Sequence, residues 1–324
     1  KKNNFNYQIY ISSTLLLFSI MLITYVFNIL NEIFYIFSVI MSVLFLIDDF
    51  NKKNYKKNNF VFYLIFFLIV FSLSILPPLT SWDGRSIWFF HSKIIFFEKS
   101  LWSPVWFSEE ILFSQIHYPK LNAIISAYFS NLIGIWNYHF SKISLSLLLF
   151  PALVFFFTSE QLKNYKWIIM FIILLFFKND LINGYMDSIL SIYTLIGIFV
   201  FSQILENKKN LNENLIVLGL TIFIITNLKD EGLVISSIIM FLFLFCIMKC
   251  YRLFLNNNFF YIFIFIVITG FIFNVSWKYF IYNSNNFAFF GEKNIQNIKI
   301  NYENLLLIGE FIIIKSYLIY YFIT

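Results

Sequence analysis

The 324-residue chain is 60% hydrophobic and 23% aromatic, with 46 Phe, and only 12% of its residues are charged. A soluble domain carries about 25% charged residues and about half apolar ones, so a water-facing exterior is excluded. Apolar runs of about 20 residues recurring along the chain also exclude a single anchor or signal peptide on a soluble body. The net charge of +6 sits in short basic clusters beside apolar runs, which is the positive-inside pattern and not a nucleic-acid face.

The apolar runs fall at about 9–30, 33–48, 59–79, 121–136, 142–158, 167–177, 188–204, 214–228, 233–248, 259–280 and 304–323. A stretch such as Phe60 to Leu76 is apolar on every face, whereas strands of a membrane barrel alternate over about 10 residues. The runs therefore predict an all-α, polytopic transmembrane helical bundle. Lys52, Lys53, Lys56 and Lys57, between the second and third runs, place that loop in the cytoplasm. The third run then leads outward into the longest polar stretch, Thr80 to Lys120. From the other end, Lys249 with Arg252, Lys208 with Lys209, and Lys163 with Lys166 mark inside loops, alternating with outside turns at Lys178 to Asp187 and Lys229 to Gly232.

An odd number of crossings must separate the outside loop at 80–120 from Lys163, yet two runs lie there. The shorter, 121–136, carries Asn122, Ser126, Ser130, Asn131 and Gly134, and is read as a helix lying in or dipping into the outer interface. About ten crossings remain. Cys246 and Cys250 stand one helical turn apart, too few ligands for a metal site, and are read as structural. The chain starts at Lys1 and ends at Thr324 inside an apolar run, so it is expected to be a portion of something longer, with a truncated C-terminus.

Ionisable groups that a hydrophobic helix does not need are the informative ones, and here they gather at outer helix ends. The outer loop opens with Trp82-Asp83-Gly84-Arg85 and continues through Trp88, His91 and Lys93; later outside turns add Lys178, Asp180 and Asp187, then Lys229, Asp230 and Glu231, then Lys278. From Gly84 to Phe97 the spacing puts Ile87, Trp88, Phe90, Ile94 and Ile95 on one apolar face, with Arg85, Ser92 and Lys93 elsewhere, as in an amphipathic helix lying in the interface. Asp83 stands just before its first turn, an N-cap position, so capping is the plain alternative to chemistry there and likewise at Asp187. His117-Tyr118-Pro119 reads equally as a helix start and interfacial anchor, and Lys229-Asp230-Glu231 as a solubilising turn.

Taken in order, Trp82-Asp83-Gly84-Arg85 with Trp88 and Lys93, His117-Tyr118-Pro119, Gly184-Tyr185-Met186-Asp187, Lys229-Asp230-Glu231-Gly232 and Ser276-Trp277 resemble the motif set of GT-C superfamily membrane glycosyltransferases. The likeness is to the branch near the dolichyl-phosphate-mannose-protein mannosyltransferases and runs from about residue 60 to 280. It departs at Lys120, where a Pro is expected, and in having two crossings before the third run. The resemblance implies residues 1–58 as an N-terminal helical pair with a cytoplasmic basic loop, and 59–324 as a GT-C-like transmembrane catalytic module with an outer loop at 80–141 containing juxtamembrane helices. It implies transfer of a hexosyl or pentosyl group from a polyprenyl-phosphate-linked donor to an acceptor hydroxyl at the extracytoplasmic face of the cytoplasmic membrane, in cell-envelope glycan biosynthesis.

On that resemblance Asp83 is the catalytic base and Asp187 a second acid shaping the site, orienting the acceptor or Arg85. Arg85, Lys93, His117, Tyr118, Lys229 and Glu231 are the candidate substrate- and phosphate-binding residues. One carboxylate base implies inversion, since retention needs a carboxylate nucleophile. No cofactor and no metal ligand is assigned; a divalent metal joining the two acids stays open, because hard cations need more oxygen ligands than these. The expected partners are the lipid-linked sugar, membrane lipid and an acceptor glycan, lipid or protein, with no nucleic acid. The rival reading is a polytopic transporter or lipid-linked glycan flippase, which calls for broken helices and midplane charge; the chain has only 9 Gly and 5 Pro. A non-catalytic envelope subunit is a third reading, and a serine hydrolase lacks its Gly-x-Ser-x-Gly elbow.

Overall fold

The computed structural model of the chain describes residues 4–27, 57–158, 165, 168, 183–206, 210–255 and 257–283. Among them every regular element is helical and no strand occurs, as follows where lipid offers backbone N–H and C=O groups no partner. Contacts divide the chain into Lys1–Tyr279 and Phe280–Thr324, and the site described below lies in the first unit. The expected helices at 33–48, 167–177 and 304–323 lie outside the described residues. So do Lys52, Lys53, Lys56, Lys163, Lys166, Lys178, Asp180, Lys208 and Lys209.

The helices are α1 (Asn4–Phe27), α2 (Lys57–Ile75), α3 (Phe89–Glu98), α4 (Leu121–Ile133), α5 (Ile143–Thr158), α6 (Met186–Glu206), α7 (Leu211–Leu228), α8 (Asp230–Leu255) and α9 (Asn258–Asn283). Five spans among the described residues are long and apolar enough to cross a membrane: α1, α5 with the turn before it, α6, α7 and α9. The core of the bundle is α7, 78% of whose apolar window is buried against 44% for α9. It packs on α1, α4, α6 and α8. Small residues let α7 and α9 approach closely: a Cβ on Gly219 would meet the Phe263 ring at 3.1 Å, and one on Gly270 the Phe223 ring at 3.1 Å. Asn227 Nδ2 donates to the Gly270 carbonyl at 3.1 Å and Asn274 Nδ2 to that of Thr226 at 2.7 Å. Such hydrogen bonds contribute about 0.6 kcal/mol each between membrane helices. On the other side of α7, Thr221 shares a 2.7 Å hydrogen bond with Tyr10 of α1.

Both ends of the segment expected as the outer loop are tied together. Pro77-Pro78 ends α2, the Pro77 carbonyl accepts from Lys142 Nζ, and the Ile75 carbonyl accepts from His139 Nδ1 at 2.9 Å. Between these ties the expected amphipathic helix at 84–97 is a π-helical turn, Gly84–Trp88, running directly into α3. It is packed into the protein: Ile87, Trp88, Ile94 and Ile95 are buried, and so is Ser92, which spacing set apart from the apolar face. Ser92 tolerates burial because its hydroxyl donates to the Trp88 carbonyl at 2.9 Å.

The run 121–136 yields α4, whose 13 residues reach about 20 Å, too short to cross. Its polar residues do not mark a wet surface. Asn122, Ser126, Ser130 and Asn131 are all buried, and Ser126 and Ser130 bond the carbonyl and hydroxyl of Ser141 at 2.5 and 3.0 Å.

Candidate functional site

Two glycines bring the first two acidic motifs together. A Cβ on Gly84 would lie 2.4 Å from the Asn183 carbonyl oxygen. Gly184 has φ +88, and a Cβ there would lie 2.8 Å from the Phe89 ring and 3.4 Å from the Gly84 Cα. Only a residue without a side chain fits either place. Ser81 fastens the contact, its hydroxyl donating to the Asn183 carbonyl at 2.5 Å and accepting from Gly84 N–H at 3.0 Å. Thr80 adds a bond to Asn183 Oδ1 at 3.0 Å. The start of the π-turn is therefore served by Ser81, and the capping alternative for Asp83 falls: its backbone is already helical (φ −57, ψ −41) and its side chain makes no cap bond. Asp83 is half-buried with no hydrogen bond or ion pair among the described residues.

Asp187, three residues after Gly184, lies in the first turn of α6. Lys229, extended at the end of α7 (φ −154, ψ 163), donates to Asp187 Oδ1 at 2.6 Å and lies 3.5 Å from Glu231 Oε1. Burial opposes its charge, but the Asp187 hydrogen bond and the charges of Asp187 and Glu231 prevail and hold the ammonium above its usual range. Arg85 is elsewhere. Its Nη2 donates to the Thr80 carbonyl at 2.9 Å, so the partner that orients Asp187 is Lys229 and the expected Asp187–Arg85 pairing is not formed. Lys93 makes no hydrogen bond to the cluster among the described residues.

The His117–Tyr118 turn closes the cluster. Tyr118 stacks on Trp88, centroids 5.4 Å apart and planes 9° from parallel. Its phenol is pushed above the usual range first by burial; Lys229 opposes this, while Glu231, Asp230 and Asp83 add to it. One ring thus lies in the field of charges from two segments, Asp83 and the 229–231 turn. His117 Nε2 lies 3.3 Å from Asp230 Oδ2, and Lys278 Nζ lies 3.0 Å from Asp230 Oδ1. Burial holds the His117 imidazolium below the ordinary range, Asp230 pulls it up, and Lys120 and Lys278 push it down.

Asp230 and Lys278 belong to the cluster although the motif reading assigned neither a role. Adjacent residues on a helix point about 100° apart, so Asp230 and Glu231 serve His117 and Lys229 respectively. The described residues do not bring together a ligand set for a divalent metal. Among the described residues no three His, Cys, Asp or Glu converge, and Asp187 is occupied by Lys229. Comparison with family models, curated proteins and solved structures finds no match for this chain.

Proposed function

We propose that the chain is a GT-C-like membrane glycosyltransferase with about ten crossings, moving a sugar from a polyprenyl-phosphate carrier to an acceptor hydroxyl on the extracytoplasmic side. The observation that carries this is Asp83: a half-buried carboxylate without a bonded partner among the described residues, in a cluster where Asp187, Glu231 and Asp230 all face cations. A free carboxylate can take a proton, whereas one bonded to an ammonium is a poor base.

In the proposed step, Asp83 removes the acceptor hydroxyl proton as that oxygen attacks the anomeric carbon. The bond from this carbon to the phosphate oxygen breaks, and the sugar inverts. Charge developing on the departing phosphate is stabilised by groups already fixed in place; Lys229 and Lys278 are the candidate cations and His117 a candidate hydrogen-bond donor. Trp82, which precedes Asp83 in the chain, is 69% exposed and offers an apolar surface suited to a lipid-borne substrate. The charged groups lie at helix ends, unlike the midplane sites of a transporter or flippase. The positive-inside reading of the basic sequence clusters favours an outward-facing site.

The test is release of polyprenyl phosphate from a panel of polyprenyl-phosphate sugars by the reconstituted full-length protein, with membrane extract supplying the acceptor. Turnover with one donor, lost in folded Asp83→Asn protein, supports the reading and names the donor. Turnover unaffected by that substitution removes Asp83 as base, and no turnover with any donor removes the transferase reading.

A further inference from the structure

Behind the His117–Tyr118 turn lies a network that the proposed chemistry does not use. The turn begins at Gln115, a non-glycine residue with φ +53, and closes with Tyr118 N–H donating to the Gln115 carbonyl at 3.1 Å. Left-handed backbone is uncommon for such a residue, so surrounding contacts must hold it. Two of them meet on one atom: the Ile116 carbonyl accepts from Trp277 Nε1 at 3.0 Å and from Lys120 Nζ at 3.1 Å.

Lys120 is fully buried. Its Nζ donates to His91 Nδ1 at 2.8 Å and lies 4.6 Å over the rings of both Trp106 and Trp277. The His91 tautomer follows from the next link: Ser114 Oγ donates to the Ile111 carbonyl at 2.7 Å, so His91 Nε2–H donates to Ser114 at 3.1 Å and Nδ1 is left to accept from Lys120. Burying an amine costs free energy that a methionine of similar volume would not. What lysine supplies here is N–H donors.

We propose that Lys120 is a positioning residue: together with Trp277 it clamps the Ile116 carbonyl and so fixes the turn that presents His117 and Tyr118 to the acid–base cluster. Its consequence for sugar transfer rests on the glycosyltransferase reading, while the clamp itself does not.

The three histidines provide a readout that needs no substrate. His91 is buried, His117 is 38% exposed against Asp230, and His139 is exposed, with its Nδ1 at the Ile75 carbonyl and not at the cluster. Carbethoxylation of the full-length protein with diethyl pyrocarbonate, followed by peptide mass spectrometry, gives the rate at His117 relative to His139 in the same molecule. Lys120→Met, which fills the space without donors, should raise that ratio about fivefold, the factor set by one net hydrogen bond. Lys120→Arg, which keeps donors and can stack on indole rings, should stay near wild type. A space-filling role requires the reverse, with Met harmless and Arg disruptive, and that result overturns the proposal, as does an unchanged ratio in folded Lys120→Met protein. Should Lys120→Met fail to fold, Trp277→Phe removes the other donor and decides by the same ratio: a rise supports the clamp and no change overturns it. Absence of transfer with every donor alongside a raised ratio would remove the transferase reading and leave the clamp; an unchanged ratio with transfer retained would do the opposite.

Discussion

Gly84 and Gly184 meet so closely that a Cβ on the second would lie 3.4 Å from the Cα of the first. The residues between them number about a hundred, yet this contact brings the segments that carry Asp83 and Asp187 together. Gly184→Ala should therefore do two things. Its φ of +88 makes any side chain cost about 1–3 kcal/mol, lowering the thermal midpoint, and the clash with Phe89 should separate the two loops and abolish turnover. Gly134→Ala is the control, because it has φ +77 with nothing within 4 Å of its Cβ position. It should share the loss of stability and retain turnover; equal turnover in the two variants would show that the glycine contact does not assemble the site.

Asp83→Asn preserves shape and removes the proposed base. Since its carboxylate makes no cap bond, the thermal midpoint should stay at the wild-type value while polyprenyl phosphate release falls roughly 10²–10⁴-fold, the range for a general base. A large drop in stability would instead reveal a structural carboxylate.

Much of this arrangement is legible in the chain itself. Unbroken apolar runs leave helices as the only choice, and Asp83, His117, Tyr118, Asp187 and Lys229 stand out because so apolar a chain has little other use for them. Pairing is not legible. Arg85 stands two residues after Asp83 and looks like the natural partner for an acid, but it donates to the Thr80 carbonyl, and Asp187 is bonded to Lys229. Similarly, the polar residues of α4 look like a wet face until Ser141 is seen to satisfy two of their hydroxyls. Both outcomes depend on backbone proximity between distant segments, which spacing along one segment does not encode.

Acid should destabilise the protein through His91. Burial holds its imidazolium well below the usual range, with the charge of Lys120 acting the same way. A histidine kept neutral in the fold but free to protonate when unfolded makes the unfolded state bind more protons, so stability falls as pH drops below about 6.5, the unfolded value, and levels off below the folded one. His117, also lowered, adds to the slope. His91→Asn keeps an acceptor for Lys120 and removes the titration. Thermal midpoints measured from pH 7.5 to 5 should fall more steeply for wild type than for this variant, and parallel curves would refute the assignment.

The Lys229–Asp187 bond, at 2.6 Å, should be a unit in catalysis. Lys229 is raised above its usual range, with burial opposing and Asp187 and Glu231 favouring its charge. Its contribution is therefore fully present below about pH 10.4, the unfolded value, and is lost only as pH rises through the higher folded value. The pair is consequently intact throughout the neutral range, and pH dependence of turnover there belongs to other groups. Lys229→Met removes the cation proposed to face the departing phosphate and leaves Asp187 unoriented; Asp187→Asn removes the group that aims Lys229. Each should lower turnover, and the double variant should lose less than the product of the two, because residues in direct contact couple by about 0.5–3 kcal/mol. Measured rates of polyprenyl phosphate release that multiply independently would mean that the bond is incidental and that Lys229 and Asp187 act on separate parts of the substrate.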